Sequence, residues 1–169
     1  MKFTKGILNG VYIIEPEPII DERGFFTRSF CKEEFSKHNL ESNFVQCNIS
    51  YNKKAGTFRG MHYQEKPYEE TKVVSCLNGS ICDIVLDIRD DSPTYGKWEA
   101  HILSNATLRS LYIPKGCAHG YQTLSDDTVV YYSVSDPYSR DHSKGIFYKK
   151  FNIKLPLPIT FISEKDNYE

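Results

Sequence analysis

The chain has 169 residues, with 21 Lys and Arg against 22 Asp and Glu, which predicts one domain over residues 1–169 with a sizeable core. No basic run favours nucleic acid and no apolar run approaches the length of a membrane span, so we expect neither as a partner. The five cysteines form no CxxC pair and the first residues lack a signal-peptide pattern, which indicates a reduced, cytoplasmic protein.

The only helical pattern is short and lies near the N-terminus, in "CKEEFSKHN" (31–39). Further along, "KVVSCLNGSICDIVLDI" (72–88) reads as two strands joined by Asn78-Gly79, a strong hairpin signal. The second strand alternates, with Asp83 and Asp87 on the face opposite its apolar residues, so we expect it to be half-buried.

The C-terminal half continues the pattern of strands. "LRSLYIP" (108–114) is a strand ended by its proline, and "SDD" (125–127) marks a turn before the alternating strand "TVVYYSV" (128–134). The two prolines within residues 151–169 predict an extended arm rather than a core strand. The whole pattern predicts an all-β antiparallel sandwich or barrel.

Several polar residues occupy strand positions that a simple core would not need: Arg59, His62, Lys72, His119 and Tyr132. Taken singly, each has a structural explanation, such as a satisfied core histidine or a lysine whose stem covers apolar surface. Taken together, they predict a pocket. Each histidine has a glycine within two residues, where a ligand could approach the backbone.

Seven collinear stretches carry a resemblance to a known family: "DERGFF" (21–26), "FVQCN" (44–48), "FRGMHYQ" (58–64), "DIRDDSPTYGKW" (87–98), "LYIPKGCAHGYQTL" (111–124), "DPYS" (136–139) and "SEKD" (163–166). They resemble the dTDP-4-dehydrorhamnose 3,5-epimerases over nearly the whole chain. The resemblance implies a cupin-type double-stranded β-helix (jelly roll) and a homodimer that exchanges N-terminal strands. It also implies a nucleotide-diphospho-4-keto-6-deoxy sugar as substrate, with dTDP-4-keto-6-deoxyglucose the best candidate, and no cofactor.

The same stretches can be compared with cupins that bind a metal. Those proteins carry a pattern similar to Gly-x5-His-x-His, followed by Pro-x-Gly-x-x-His. Here Gln64 stands where the second histidine would be, so two histidines remain without a full ligand set. We therefore expect no metal, which leaves His62 free to act as a base. The retained positions are Gly56, His62, Pro114, Gly116 and His119.

The resemblance assigns catalytic roles to four residues. His62 would abstract a proton, because its ordinary pKa lies near neutral pH, and Asp166 would orient it. Lys72 would stabilise the enolate oxygen, and Tyr132 would donate a proton from the opposite face.

The resemblance also implies a set of ligand contacts. Arg59 would bind the diphosphate, Tyr138 would stack on the nucleotide base, and His119 would contact the sugar. The remaining substrate-binding positions are Arg23, Phe26, Gln46, Asn48 and Lys165.

Two residues depart from the usual family pattern: Arg28 and Ser143 stand where glutamates are common, and the loop before Lys72 also differs. These changes leave open an epimerase that inverts only C3 or C5, or one that acts on another nucleotide sugar. A cupin that binds a sugar nucleotide without catalysis, and a metal-dependent cupin oxygenase, are further alternatives.

Overall fold

The computed structural model describes residues 1–167, so the last two residues of the predicted domain lie outside the described residues. All pairings between the named strands are antiparallel. The strands are β1 (Lys2–Lys5), β2 (Tyr12–Glu15), β3 (Ile19–Asp21), β4 (Gly24–Phe26), β5 (Gln46–Asn52), β6 (Phe58–Gln64), β7 (Lys72–Asn78), β8 (Ser80–Asp87), β9 (Trp98–Ser104), β10 (Ser110–Ile113), β11 (Cys117–Thr123), β12 (Thr128–Val134) and β13 (Ser143–Gly145).

The strands form two large sheets and one small hairpin. The six-stranded sheet has the order β1-β2-β10-β7-β12-β5, the five-stranded sheet has the order β13-β6-β11-β8-β9, and β3 pairs only with β4. The main core lies between the large sheets, where Val74 and Leu111 of one sheet share a cluster with Val85 and Leu103 of the other. This arrangement confirms the predicted all-β antiparallel jelly roll.

The prediction that β8 is half-buried is wrong. Seven of its eight residues are buried, and both Asp83 and Asp87 have no exposed surface. One face contributes to the core between the sheets, while Ile84 and Leu86 of the other face pack in a second cluster with Ile153 of the C-terminal arm. The arm covers the face of Ile84 and Leu86, whereas Asp83 and Asp87, assigned to solvent by the alternation, share their face with Val85 of the main core.

The turn at Asn78-Gly79 exists, but the predicted hairpin does not form. Gly79 has φ +77°, which suits the tight turn. The strands that it joins belong to different sheets: β7 lies between β10 and β12, whereas β8 lies between β11 and β9. Because both edges of each strand already have partners, the chain crosses from one sheet to the other at this point.

The predicted short helix is α1 (Lys32–Lys37), whose Phe35 packs on the outer face of the six-stranded sheet beside Val73 and Tyr112. The arm from residue 151 contains no named strand in the described chain and ends in a 3-10 turn at Glu164–Asp166, as the prolines predicted. No helix within residues 1–167 has the length and apolar content needed to cross a membrane.

Candidate active site

A cavity of about 410 Å³ lies between strands of the two large sheets. β6 and β11 contribute from the five-stranded sheet, and β5, β7 and β12 contribute from the six-stranded sheet. The structure thus brings most of the sequence-predicted site residues to one place. Those that line the cavity are Gln46, Asn48, Arg59, His62, Lys72, His119, Tyr132, Tyr138 and Lys165.

Asp166 lies behind His62 rather than in the cavity wall. Its Oδ1 is 2.6 Å from Nε2 of His62, and its Oδ2 accepts a hydrogen bond from the Gly60 N–H at 3.3 Å. Burial raises the pKa of the Asp166 carboxyl, but the hydrogen bond and charge of His62 outweigh it and the net pKa falls below the ordinary value. The carboxylate is therefore ionised at neutral pH and able to orient the imidazole.

His62 and His119 are directly opposite each other across the β6–β11 pairing. The glycines beside them permit the two strands to approach closely: a Cβ on Gly60 would lie 2.5 Å from the Cα of Gly120. Gly60 also has φ +134°, which disfavours other residues. The expectation that these glycines admit a ligand to the backbone is therefore corrected, because the neighbouring strand occupies that space.

His119 has a carboxylate partner that the sequence reading placed on a solvent face. Its Nε2 lies 2.7 Å from Oδ1 of Asp83, and the Asp83 side chain is fully buried. An acidic residue inside a strand with apolar neighbours on both sides was the available signal. The pair fixes the His119 ring at the cavity wall.

Lys72 is nearly buried and carries an ion pair inside the cavity. Its Nζ lies 3.0 Å from Oε1 of Glu70, and the two side chains are 9% and 12% exposed. Sequence reasoning missed Glu70, although it lies two residues before Lys72, a spacing that places both on one face of an extended segment. A cation held here can stabilise negative charge on a ligand oxygen.

Tyr132 projects from β12, on the sheet opposite that of His62. Burial raises the pKa of its phenol, and the nearby Tyr121 and Glu70 raise it further. The hydroxyl therefore stays protonated at neutral pH, which is the state that a proton donor requires.

The cavity also holds a basic and an amide-rich region. Nε of Arg59 donates to Oδ1 of the buried Asn52 at 2.8 Å, which orients the guanidinium from behind. Gln46 and Asn48 are joined by a hydrogen bond of 2.9 Å, and the backbone N–H of Tyr138 donates to Oε1 of Gln46 at 3.3 Å. These groups offer donors and acceptors suited to phosphate and to a nucleotide base.

Besides Asp166, two predicted residues do not line this cavity. Arg23 and Phe26 lie on the exposed β3–β4 hairpin, where Arg23 pairs with Asp21 and the Phe26 side chain is exposed. Of the two departures from the family pattern, Ser143 lines the cavity, whereas Arg28 forms an ion pair with Glu34 elsewhere.

Gln64, noted in the sequence for replacing a cupin histidine, also lines the cavity, and further lining residues had no separate signal in the sequence: Ser50, Tyr63, Tyr121 and Val134. Tyr121 donates to Ser50 Oγ at 2.9 Å, so its hydroxyl is satisfied within the wall. Within residues 1–167 no group of three or more His, Cys, Asp and Glu side chains is arranged to hold a metal ion.

Known proteins resemble this chain in sequence and in fold. The sequence model of the family described as dTDP-4-dehydrorhamnose 3,5-epimerase matches residues 5–169. A protein of that name from Shigella flexneri is 40% identical over 169 residues, covering 98% of this chain and 93% of the relative.

Two solved structures extend the comparison. The dTDP-4-dehydrorhamnose 3,5-epimerase of Bacillus anthracis, with TDP and PPi bound, is 40% identical and superposes with a TM-score of 0.90, covering 94% of this chain and 93% of that one. The dTDP-6-deoxy-D-glucose-3,5-epimerase of Legionella pneumophila, in complex with dTDP-4-keto-L-rhamnose, is 36% identical with a TM-score of 0.91, covering 98% and 89% of the two chains.

Proposed function

The chain belongs to the dTDP-4-dehydrorhamnose 3,5-epimerase family, and we propose on this basis that it inverts C3 and C5 of dTDP-4-keto-6-deoxyglucose to give dTDP-4-keto-rhamnose. It is an isomerase that acts on a nucleotide-diphospho-4-keto-6-deoxy sugar. The 4-keto group acidifies the hydrogens on the two neighbouring carbons, so each inversion proceeds by removal of a proton and its return to the other face.

The observation that carries this proposal is the placement of His62 and Tyr132 on opposite sheets around one cavity. Inversion needs a base on one face of the sugar ring and an acid on the other. A ring held between the sheets meets an imidazole from β6 and a protonated phenol from β12.

At each carbon, one proton is removed and another is returned to the opposite face. His62 takes the proton from carbon, and the ionised Asp166 stabilises the imidazolium that forms. The electron pair moves into the carbonyl, and the charge on the resulting enolate oxygen faces the ammonium of Lys72. Tyr132 then protonates the same carbon from the far face, and solvent returns a proton to the phenolate and accepts one from His62.

The ligand contacts follow the basic and amide-rich part of the cavity. Arg59 binds the diphosphate, with Lys165 as a second cation, and Tyr138 stacks on the thymine base. His119, held by Asp83, contacts the sugar, and Gln46 and Asn48 supply polar contacts.

The test is incubation of the protein with dTDP-4-keto-6-deoxyglucose in deuterated water, followed by NMR at C3 and C5, with His62→Ala as the control. Deuterium at both carbons, lost in the variant, is the expected result. An absence of exchange in the folded wild type would contradict the assignment of dTDP-4-keto-6-deoxyglucose as the substrate.

A second candidate is inversion of a single carbon. Ser143 lines the cavity where a glutamate is usual, which changes the polar contacts of the substrate. Deuterium at only C3 or only C5 in the same experiment would favour this candidate, and the position labelled would identify the carbon.

We further propose that the protein is a cytoplasmic homodimer that exchanges its N-terminal hairpin. The hairpin exposes Ile19, Ile20 and Phe25, and exchange would carry Arg23 and Phe26 to the partner's cavity. The five free thiols suit a reducing compartment. Sedimentation of the wild type and of a variant with Ile20→Asp tests the dimer, which the substitution should dissociate.

A further inference from the structure

Two loops frame the mouth of the cavity, and the side chain of Gln64 bonds to both of them. The first loop follows β6 at residues 65–71, and the second connects β12 to β13 at residues 135–142. Gln64, the last residue of β6, is only 4% exposed and has its carboxamide between the two loops.

The carboxamide of Gln64 makes four hydrogen bonds. Its Nε2 shares two N–H donors among three acceptors: the carbonyl oxygen of Tyr68 at 2.9 Å, that of Pro137 at 3.2 Å and Oε2 of Glu70 at 3.3 Å. Its Oε1 accepts from the backbone N–H of Ser139 at 2.7 Å. No other residue type of this size offers both donors and an acceptor in one planar group.

Two of these bonds flank Tyr138 directly. The carbonyl of Pro137 precedes Tyr138 and the N–H of Ser139 follows it, and both bond to the same carboxamide. The side chain of Tyr138 itself is exposed, at 55%. Its position over the cavity is therefore set by its backbone, which Gln64 holds at the residues on either side and Gln46 holds at the Tyr138 N–H.

We propose that Gln64 is a positioning residue that presents Tyr138 to the nucleotide base. Its effect on nucleotide binding rests on the proposed function. The position corresponds to a histidine ligand in metal-binding cupins, as the sequence comparison indicated. In this chain the side chain organises a nucleotide-binding loop instead.

The first test follows the backbone amide of Ser139 by hydrogen exchange in the ligand-free protein. Gln64→Met keeps the volume and removes the four bonds, so we expect exchange at Ser139 to be about tenfold faster. Gln122→Met is the matched control, because the buried carboxamide of Gln122 bonds to the backbone of Leu157 at 2.8 and 3.0 Å, away from this loop. That control should leave Ser139 unchanged.

The second test is a double-mutant cycle on dTDP affinity, measured by calorimetry. We expect Gln64→Met and Tyr138→Ala each to weaken binding by about tenfold, a typical loss for a base–aromatic stack. In the Tyr138→Ala background, Gln64→Met should add less than about twofold, because it acts through the missing ring. Gln64→Glu, which loses the donors but keeps the size, serves as a second variant if Gln64→Met does not fold.

Unchanged exchange at Ser139 in the folded variants would overturn the proposal, as would additive losses in the cycle. If the wild type does not bind dTDP, the thymidine assignment fails instead. The exchange experiment needs no ligand, so it would still decide whether Gln64 holds the loop.

Discussion

Nε2 of His62 lies 2.6 Å from Oδ1 of Asp166, although 104 residues separate them in the sequence. The contact exists because the C-terminal arm crosses the outer face of the five-stranded sheet and ends in a 3-10 turn beside β6. The arm therefore contributes to the core and also completes the proton-transfer site.

Asp166→Asn should lower kcat by about 100-fold or more, because the amide no longer stabilises the imidazolium of His62. The substrate contacts remain, so KM should change little. Turnover and deuterium exchange at C3 and C5 measure the effect. Glu164→Gln, an exposed acid in the same turn, is the control and should have wild-type activity. Wild-type kcat in Asp166→Asn would remove Asp166 from the mechanism.

Lys72→Met should lower kcat by at least about 100-fold, because it removes the cation that faces the enolate oxygen. The substitution also leaves Glu70 without its 3.0 Å partner in a nearly buried position, so some loss of stability is expected. Steady-state kinetics and thermal unfolding separate the two effects. Lys54→Met, at an exposed lysine paired with Asp126, should alter neither. A fall in stability with kcat intact would make Lys72 structural.

Much of the site could be predicted because its residues are polar groups at strand positions, where burial demands a reason. His62, Lys72 and His119 stood out in this way, and the structure gathers them around one cavity. The short helix and the non-strand C-terminal arm were also predictable, since local sequence determines both.

What could not be predicted depends on contacts between distant segments. The alternation in β8 placed Asp83 in solvent, but that face turns toward the space between the two large sheets, and a carboxylate buried there orients His119. Likewise, Asn78-Gly79 encodes a turn without specifying which strands pair across it. Local signals determine the turn, whereas the competition among many strands determines the partners.

Arg59→Gln should weaken dTDP binding by about 30-fold, the equivalent of ~2 kcal/mol for a charge-assisted contact, and leave the affinity for thymidine unchanged. The nucleoside lacks the diphosphate, so it reports on the base contacts alone. Calorimetry with both ligands gives the comparison, and Arg109→Gln, at a surface arginine paired with Glu15, is the control. Equal losses for the two ligands would mean that Arg59 does not act through the phosphates.

Asn52→Asp tests how the Arg59 guanidinium is held from behind. Oδ1 of Asn52 accepts from Nε of Arg59 at 2.8 Å, and a carboxylate of the same shape would keep that bond while adding a negative charge. We expect weaker binding of dTDP because the added charge offsets the positive potential at the diphosphate. Binding that is unchanged or tighter would show that Arg59 does not act as a cation there.

Asp87→Asn should destabilise the protein at neutral pH, although Asp87 does not line the cavity. Asp87 has no exposed surface, and its carboxylate accepts bonds from Arg89, Ser92 and Thr94. Burial raises the pKa of this carboxyl, but the three donors together hold it well below the ordinary value. The ionised form is therefore favoured in the folded state.

The stability that Asp87 contributes should decrease as the pH falls. A depressed folded pKa contributes stability that is complete above the ordinary Asp value of about 3.9 and is lost as the pH falls through the folded pKa. We expect Asp87→Asn to cost about 3 kcal/mol at pH 7, with the gap to wild type narrowing below about pH 4. Urea unfolding at a series of pH values measures this. The exposed Asp126→Asn is the control, with a small effect. A gap that stays constant between pH 7 and pH 3 would mean that packing, and not the ionised carboxylate, supplies the stability.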